Sequence, residues 1–329
     1  MRYVILGAGA VGATIGGRLA ESGCAVTLVG RGAHAAVVKR DGLLLAMPER
    51  TVQLPIPMVT MDELRLTPDD VLFLAVKSQD TTHLLSQLAT VPADGDTSDL
   101  PVFCAQNGVA NEDFVLRQFS RVYGVCVNIP ATHLEPGVVE APATPVSGIL
   151  QVGRYPSGAD DLAFAVADDL RRGGFLAEVR TDVMAWKRAK LLSNLANALQ
   201  VLCVGGFEYR AGNDDATGTV LSRMRAEAKA CFAAAGWTVT DAGQFRAEAS
   251  AFQMAAVNGQ LRGGGSTWQS VERGLPSVET DFLNGEIVRI GRLHGVPTPV
   301  NAAIQAAMRD ITRRSRAPRT LDPRALLAA

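Results

Sequence analysis

The chain has 329 residues, 47% hydrophobic and 20% charged, which suits two domains with sizeable cores and excludes a disordered polymer. Thirty-two basic against 33 acidic side chains leave a net charge of −1, so no overall field draws it to nucleic acid or anionic lipid. No apolar run reaches the ~18 residues of a membrane span, and five cysteines without a CxxC pair and four scattered histidines favour neither a disulfide framework nor a metal site.

In chain order, residues 2–7 read as an apolar strand entering a glycine turn rather than a signal peptide, and a cytoplasmic location is expected. A helix over 10–22 and a strand over 25–29 follow. Residues 43–60, with Pro48, Pro55 and Pro57, suit short strands or loops. Val71–Val76 has no polar face, as in a strand covered by helices on both sides, and 102–105 and 122–129 repeat that signal. Strands alternating with helices predict a parallel, doubly wound α/β sheet. Residues 130–153, rich in Pro and Gly, close the first domain. Beyond 181 helices are expected over 183–203, 217–235, 241–258, 277–293 and 299–314. The division is therefore 1–181 and an all-helical 182–329. The arginine-rich tail (313, 314, 316, 319, 324) reads as a frayed, solvated end.

Gly7-Ala8-Gly9-Ala10-Val11-Gly12 places GxGxxG directly between strand and helix, the context in which that pattern binds a dinucleotide pyrophosphate on helix amides. An NAD site normally carries an acid at the end of the second strand. Here Val29-Gly30-Arg31-Gly32 carries none, and Arg31 can pair with a 2′-phosphate, which favours NADP(H). Lys77 and Gln106-Asn107-Gly108 each follow a strand at the carboxyl edge of the sheet. They suit contacts with the nicotinamide ribose or the substrate, or local satisfaction of loop backbone.

Only five basic residues are lysine (39, 77, 187, 190, 229), so each is a candidate proton donor in a chain whose usual cation is arginine. On a helix over 183–203, Lys190, Asn194 and Asn197 share one face amid leucine and alanine, where a polar ligand would satisfy them. Lys187 and Arg188 mark another, plainly polar side. Glu279 follows Pro276-Ser277, which reads as a helix start capped by Ser277, and a first-turn carboxylate there also suits the helix dipole. Gly263-Gly264-Gly265-Ser266-Thr267 is a turn able to offer amides and hydroxyls to a carboxylate.

Taken together, these residues resemble the ketopantoate reductase family. The resemblance runs from the Gly7 motif through Arg31, Ala75-Val76-Lys77, Gln106-Asn107-Gly108, Trp186 to Asn194, Ser266-Thr267-Trp268-Gln269, Glu279-Thr280-Asp281 and Asn284-Gly285 to Gly295-Val296-Pro297-Thr298-Pro299-Val300-Asn301. It implies a Rossmann domain followed by a helical domain with the active site in the cleft, and NADPH-dependent reduction of 2-dehydropantoate to pantoate. It further implies Lys190 as general acid, with Asn194 and Ser266 on the substrate and Glu279 near the nicotinamide ribose and the acid. Asn107 would contact both ligands, and Lys77 and Ala131 the cofactor.

Three departures fall on the substrate side. Ala198 stands where the family has a second helix asparagine; Asn197, the candidate to replace it, would point ~100° away on a continuous helix. Bulky Trp268 follows the substrate serine. Gly205-Gly206-Phe207-Glu208-Tyr209 lacks an expected asparagine near Glu208. The reading is thus an NADPH-dependent 2-oxo acid reductase, most simply of 2-dehydropantoate. The alternatives are reduction of another oxo acid, ketone or imine, and a non-catalytic NADPH sensor. A homodimer is left open, with the alanine-rich 217–235 able to pack on a second chain or within its own domain.

Overall fold

The computed structural model describes residues 1–204, 215–260, 264–274, 278–313 and 317–327. The first unit spans Met1–Lys187 and Asp241–Arg262, the second Arg188–Thr240 and Gly263–Ala329.

The first unit is built on β1 (Arg2–Leu6), α1 (Ala10–Glu21), β2 (Ala25–Val29), α2 (Gly32–Asp41), β3 (Leu43–Ala46), β4 (Thr51–Leu54), β5 (Met58–Val59), β6 (Asp70–Leu74), α3 (Thr81–Leu88), β7 (Val102–Cys104), α4 (Asn111–Leu116) and β8 (Val122–Asn128). It continues through β9 (Val138–Glu140), β10 (Ala143–Thr144), β11 (Ile149–Arg154), α5 (Asp161–Arg172) and β12 (Leu176–Val179). Eight strands form one sheet in the order β12-β11-β8-β7-β6-β1-β2-β5. All pairs are parallel except β11 with β8.

The central strands carry no polar face because both sides are covered. On one side Tyr3, Phe73, Phe103 and Tyr123 form a row of rings, with centroids 5.8, 5.1 and 4.3 Å apart, beneath Ile15 and Leu19 of α1, Val38 of α2 and Val166 and Leu170 of α5. On the other, Val4, Leu6, Leu72 and Leu74 meet Leu84, Leu85 and Leu88 of α3 and Val115 of α4. The doubly wound α/β expectation is therefore met, with a separate three-stranded sheet, β4-β3-β9, beside it.

After β12 come α6 (Val183–Asn194), α7 (Asn197–Leu202), α8 (Asp215–Ala234), α9 (Ala242–Ala249), β13 (Gln253–Met254), α10 (Ser266–Glu272), a 3-10 turn at Glu279–Phe282, α11 (Asn284–His294) and α12 (Pro299–Thr312). Here the structure departs from several expectations. The helix expected over 183–203 is broken at Leu195-Ala196. The one expected over 241–258 stops at Ala249, and β13 then pairs antiparallel with β10. This segment returns to the first unit, where Gln151 Nε2 donates to Glu248 at 2.5 Å, Arg180 pairs with Glu248, and the Phe245 ring lies 6.2 Å from Trp186. The units thus divide inside α6 rather than at 181, and the first is made of two stretches of chain. α8 buries Val220, Met224, Ala228, Cys231 and Phe232 within its own unit, in contact with α11 and α12. The tail is not frayed over 317–327: Arg319 and Leu321 donate backbone N–H groups to Val201 and Leu202 carbonyls, and Leu326 is buried. Arg314 and Arg316 lie outside the described residues.

Candidate active site

The strand order reverses beside β1: the chain leaves β1 to build β2 on one side, and β6 lies on the other. Open α/β sheets bind ligands at the carboxyl ends of strands at such a switch point. The glycine turn after β1 and Lys77 after β6 both lie there. They are tightly fitted, since a Cβ on Gly7 (φ +104°) would come within 2.7 Å of the Val76 nitrogen. Gly7 and Ala8 donate to the Val29 carbonyl at 3.0 Å, which ties the turn to β2 as well.

The three motif glycines differ in what requires them. A Cβ on Gly12 would strike the Gly7 carbonyl and lie 2.9 Å from Ala75 Cβ, so Gly12 is demanded by packing. A Cβ on Gly9 would meet no protein atom within 4 Å. Gly9 is the N-cap of α1, with no side-chain capping bond and no acid in the first turn, and Ala10 and Val11 begin the helix. The open space over a helix N-terminus fits a dinucleotide pyrophosphate. Arg31, the exposed N-cap of α2, follows β2. Ala131 is buried in the same unit, and its N–H bonds the Ile129 carbonyl. Behind the turn, His34 Nδ1 accepts from Gly137 N–H at 2.9 Å, and its ring lies 4.1 Å from His133. Burial lowers the His34 pKa.

Lys77 is half-buried and caps the short 3-10 turn Ser78–Asp80; Asn107 is half-buried in the loop after β7. The two loops are laced together. Gln106 Nε2 donates to the Val76 carbonyl at 2.8 Å and to Thr81 Oγ1 at 2.9 Å, and so serves loop backbone, one of its two expected roles. The Asn107 carbonyl accepts from Ser78 Oγ at 3.3 Å and Asn111 Nδ2 at 3.2 Å.

Lys187 overturns its assignment to a solvated helix side. Its side chain is 2% exposed, and Nζ lies 2.5 Å from Glu112 Oε1, whose own side chain is fully buried. Nζ also donates to the carbonyls of Gln106 (2.9 Å), Cys104 and Val125 (3.3 Å each). Sequence reading missed both partners. The one available signal was the scarcity of lysine, and the identity of the carboxylate needs the fold. Burial, with Glu112 beside it, pushes the Cys104 thiol pKa well up, which makes it a poor nucleophile.

In the second unit Lys190 is half-buried and Asn194 buried, on one face of α6 as expected. The break after Asn194 removes Asn197 from that helix, so the 100° argument does not apply. Asn197 begins α7, and its Oδ1 lies 3.6 Å from where a Gly265 Cβ would stand. Gln200 Oε1, also unanticipated, accepts from Gly265 N–H at 2.9 Å, and Ser266 starts α10. Asn197 is thereby placed beside the serine turn. The Trp268 ring packs on its own turn, 2.9 Å from a Cβ on Gly264. Glu279 is buried, but in the 3-10 turn before α11 rather than in that helix's first turn, where Glu286 pairs with Arg289 at 2.6 Å. Ser277, Gly263 and the segment around Glu208 lie outside the described residues.

Comparison with known proteins bears on this arrangement. The model of "Ketopantoate reductase PanE/ApbA" matches residues 3–157, and that of its C-terminal region matches 182–312. A 2-dehydropantoate 2-reductase of Pyrococcus horikoshii is 28% identical over 311 residues, covering 94% of this chain and 97% of the relative. The PanE/ApbA family ketopantoate reductase of Ralstonia eutropha superposes with a TM-score of 0.76 at 27% identity, over 95% of this chain and 99% of that one. D-mandelate dehydrogenase, solved with NADH and anilino(oxo)acetate, shares the fold at a TM-score of 0.79 and 21% identity, over 95% and 99% of the two chains. With both family models together spanning most of its length, the chain belongs to the ketopantoate reductase family of oxidoreductases acting on CH–OH groups.

Proposed function

We propose that the protein reduces a 2-oxo acid with NADPH, and that the acid is 2-dehydropantoate, giving pantoate for pantothenate synthesis. The observation that carries the cofactor half is the open space at Gly9 over the uncapped N-terminus of α1. Gly7, Ala8, Gly9, Ala10, Val11 and Gly12 hold the pyrophosphate, Arg31 the 2′-phosphate, and Lys77, Asn107 and Ala131 line the nicotinamide end. The cofactor supplies a hydride to the ketone carbon. Lys190, as ammonium, polarises the ketone oxygen and gives it a proton as the alcohol forms. Asn194, Asn197 and Ser266 bind the substrate's polar groups and orient the ketone. Glu279 contacts the nicotinamide ribose and assists Lys190, the proton donor. The enzyme works in the cytoplasm, and sedimentation of the purified protein decides whether it is a homodimer. Among the described residues no helix is long and apolar enough to cross a membrane.

The test is oxidation of NADPH and of NADH by the purified protein with 2-dehydropantoate, beside Lys190→Ala and Arg31→Ala. Wild type turns over with NADPH; Lys190→Ala loses ~10²–10⁴-fold in kcat, the usual share of a general acid, while still binding NADPH. Arg31→Ala raises KM for NADPH and leaves that for NADH nearly unchanged. If NADPH binds and 2-dehydropantoate is ignored, the substrate assignment is wrong and bulkier oxo acids, ketones and imines come next. That second reading draws on Ala198, which removes the family's second helix amide.

A further inference from the structure

A buried ion pair is not in itself a good way to stabilise a fold, because desolvating two charges offsets their attraction and apolar residues of similar volume do as well or better. Lys187 and Glu112 form such a pair in the first unit, and among the described residues neither Glu112 carboxylate oxygen makes a hydrogen bond of good geometry. What the pair does is shown by the other oxygens around the ammonium. The β7–β8 ladder ends at the Cys104–Gly124 pairing. Just beyond, Lys187 Nζ reaches the Cys104 and Gln106 carbonyls on one side of the opening and the Val125 carbonyl on the other. The lysine stem arrives across Gly124, where a Cβ would lie 2.9 Å from Val183 Cγ1 and 3.5 Å from Lys187 Cδ, so the first turn of α6 rests directly on β8.

The segment pinned at Cys104 and Gln106 leads into Asn107. From there the network passes through Ser78, Thr81 and Asn111 to the loop that carries Lys77. Thr81 Oγ1 donates to Asn111 Oδ1 at 2.8 Å, and Asn111 Nδ2 donates to Ser78 Oγ at 3.1 Å. Each of these bonds joins neutral groups; the ammonium is the charged member, and charge-assisted bonds are the stronger and more directional kind.

We propose that Lys187, held by Glu112, is a positioning residue that ties the carboxyl end of β7 to the middle of β8 and thereby fixes the backbone of Gln106 and Asn107 at the ligand-binding edge of the sheet. It touches neither substrate nor cofactor. Lys190, three residues later in the same helix, is the proton donor, so the two lysines divide the work: one holds, the other reacts. The assignment rests on the proposed reductase reading for its catalytic consequence only.

The experiment compares wild type, Lys187→Met and the double variant Lys187→Met/Glu112→Leu by thermal melting, amide hydrogen exchange over 104–111, NADPH affinity and kinetics. Lys187→Met strands a buried carboxylate and is expected to melt far lower. The double variant removes both charges and recovers most of the melting temperature. Its 104–111 amides nevertheless exchange at least ~10-fold faster than in wild type, because opening no longer breaks the ammonium bonds. With the oxo acid, kcat falls ~10²-fold, the usual effect of a misplaced site group, while KM changes little. A double variant with the wild-type melting point, exchange rates and kcat overturns the proposal and leaves the pair as core filling. If wild type reduces no oxo acid, the reductase reading fails on its own, and exchange over 104–111 still decides the positioning role.

Discussion

Residues of one type do different work in this chain, and their surroundings say which. Of the motif glycines, Gly12 is needed by the protein, whereas Gly9 is bare with nothing to fill its place. Gly9→Ala is therefore expected to melt like wild type, since the added methyl meets no protein atom, yet to lose NADPH affinity at least ~10-fold through lost approach to the pyrophosphate; fluorescence titration beside a melting curve checks both. His34 offers a second residue-level test. Burial depresses its pKa below the ordinary histidine value of about 6.5, so as pH falls the unfolded chain takes up a proton before the native one does. The stability associated with neutral His34 is full above the unfolded pKa and is lost as pH falls through the window between that value and the lower native one. Melting temperatures at pH 5 and pH 8 should differ less in His34→Gln than in wild type.

At the scale of elements, the α6–α7 break is the feature that local sequence could not disclose. Leu191 to Leu199 contains neither proline nor glycine. Asn284 Nδ2 comes from α11 to the Leu195 carbonyl at 3.5 Å, and Ala196 and Leu199 turn to i−3 bonds. A side chain inserted into the helical ladder is a recognised cause of such a break. Asn284 is itself held by Asn301 Oδ1 at 3.0 Å, and Asn301 Nδ2 donates to Glu227 at 2.7 Å. Glu227 also receives the Val300 and Asn301 N–H groups at 2.9 and 3.0 Å, capping α12 with a carboxylate from α8. Asn301→Ala leaves Glu227 and Asn284 each short of a buried partner, for about 1–3 kcal/mol of lost stability by denaturant unfolding. It should also lower affinity for the oxo acid, because Asn197 loses the break that aims it.

For the molecule as a whole, the discontinuous first unit is the main consequence of tertiary structure. The segment 241–262 returns to it through β13 on β10 and through Glu248, which serves both Gln151 and Arg180. Glu248→Ala leaves the buried Gln151 amide without that acceptor, and since Glu248 and Arg180 are partly solvated the expected cost is about 1–2 kcal/mol, read by calorimetry. Activity should fall only in step with stability, because Glu248 is not among the residues assigned to the reaction.

The doubly wound sheet, the glycine turn and the order of the strands' loops are legible in the chain, because they depend on local signals: apolar runs, turn glycines and the period of one helix. The family could be recognised for the same reason, since Lys190, Asn194, Ser266 and Glu279 are spaced along continuous motifs. Long-range packing sets the burial of Lys187, the approach of Asn197 to the serine turn, the place of Glu279 before its helix, and the return of 241–262 to the first unit. Three of these depend on a partner distant in the chain: Glu112 for Lys187, Asn284 for the helix break that moves Asn197, and Gln151 and Arg180 for Glu248 in the returning segment. Burial of a charge and the ending of a helix are settled by what lies opposite, and that is fixed only when the chain has folded.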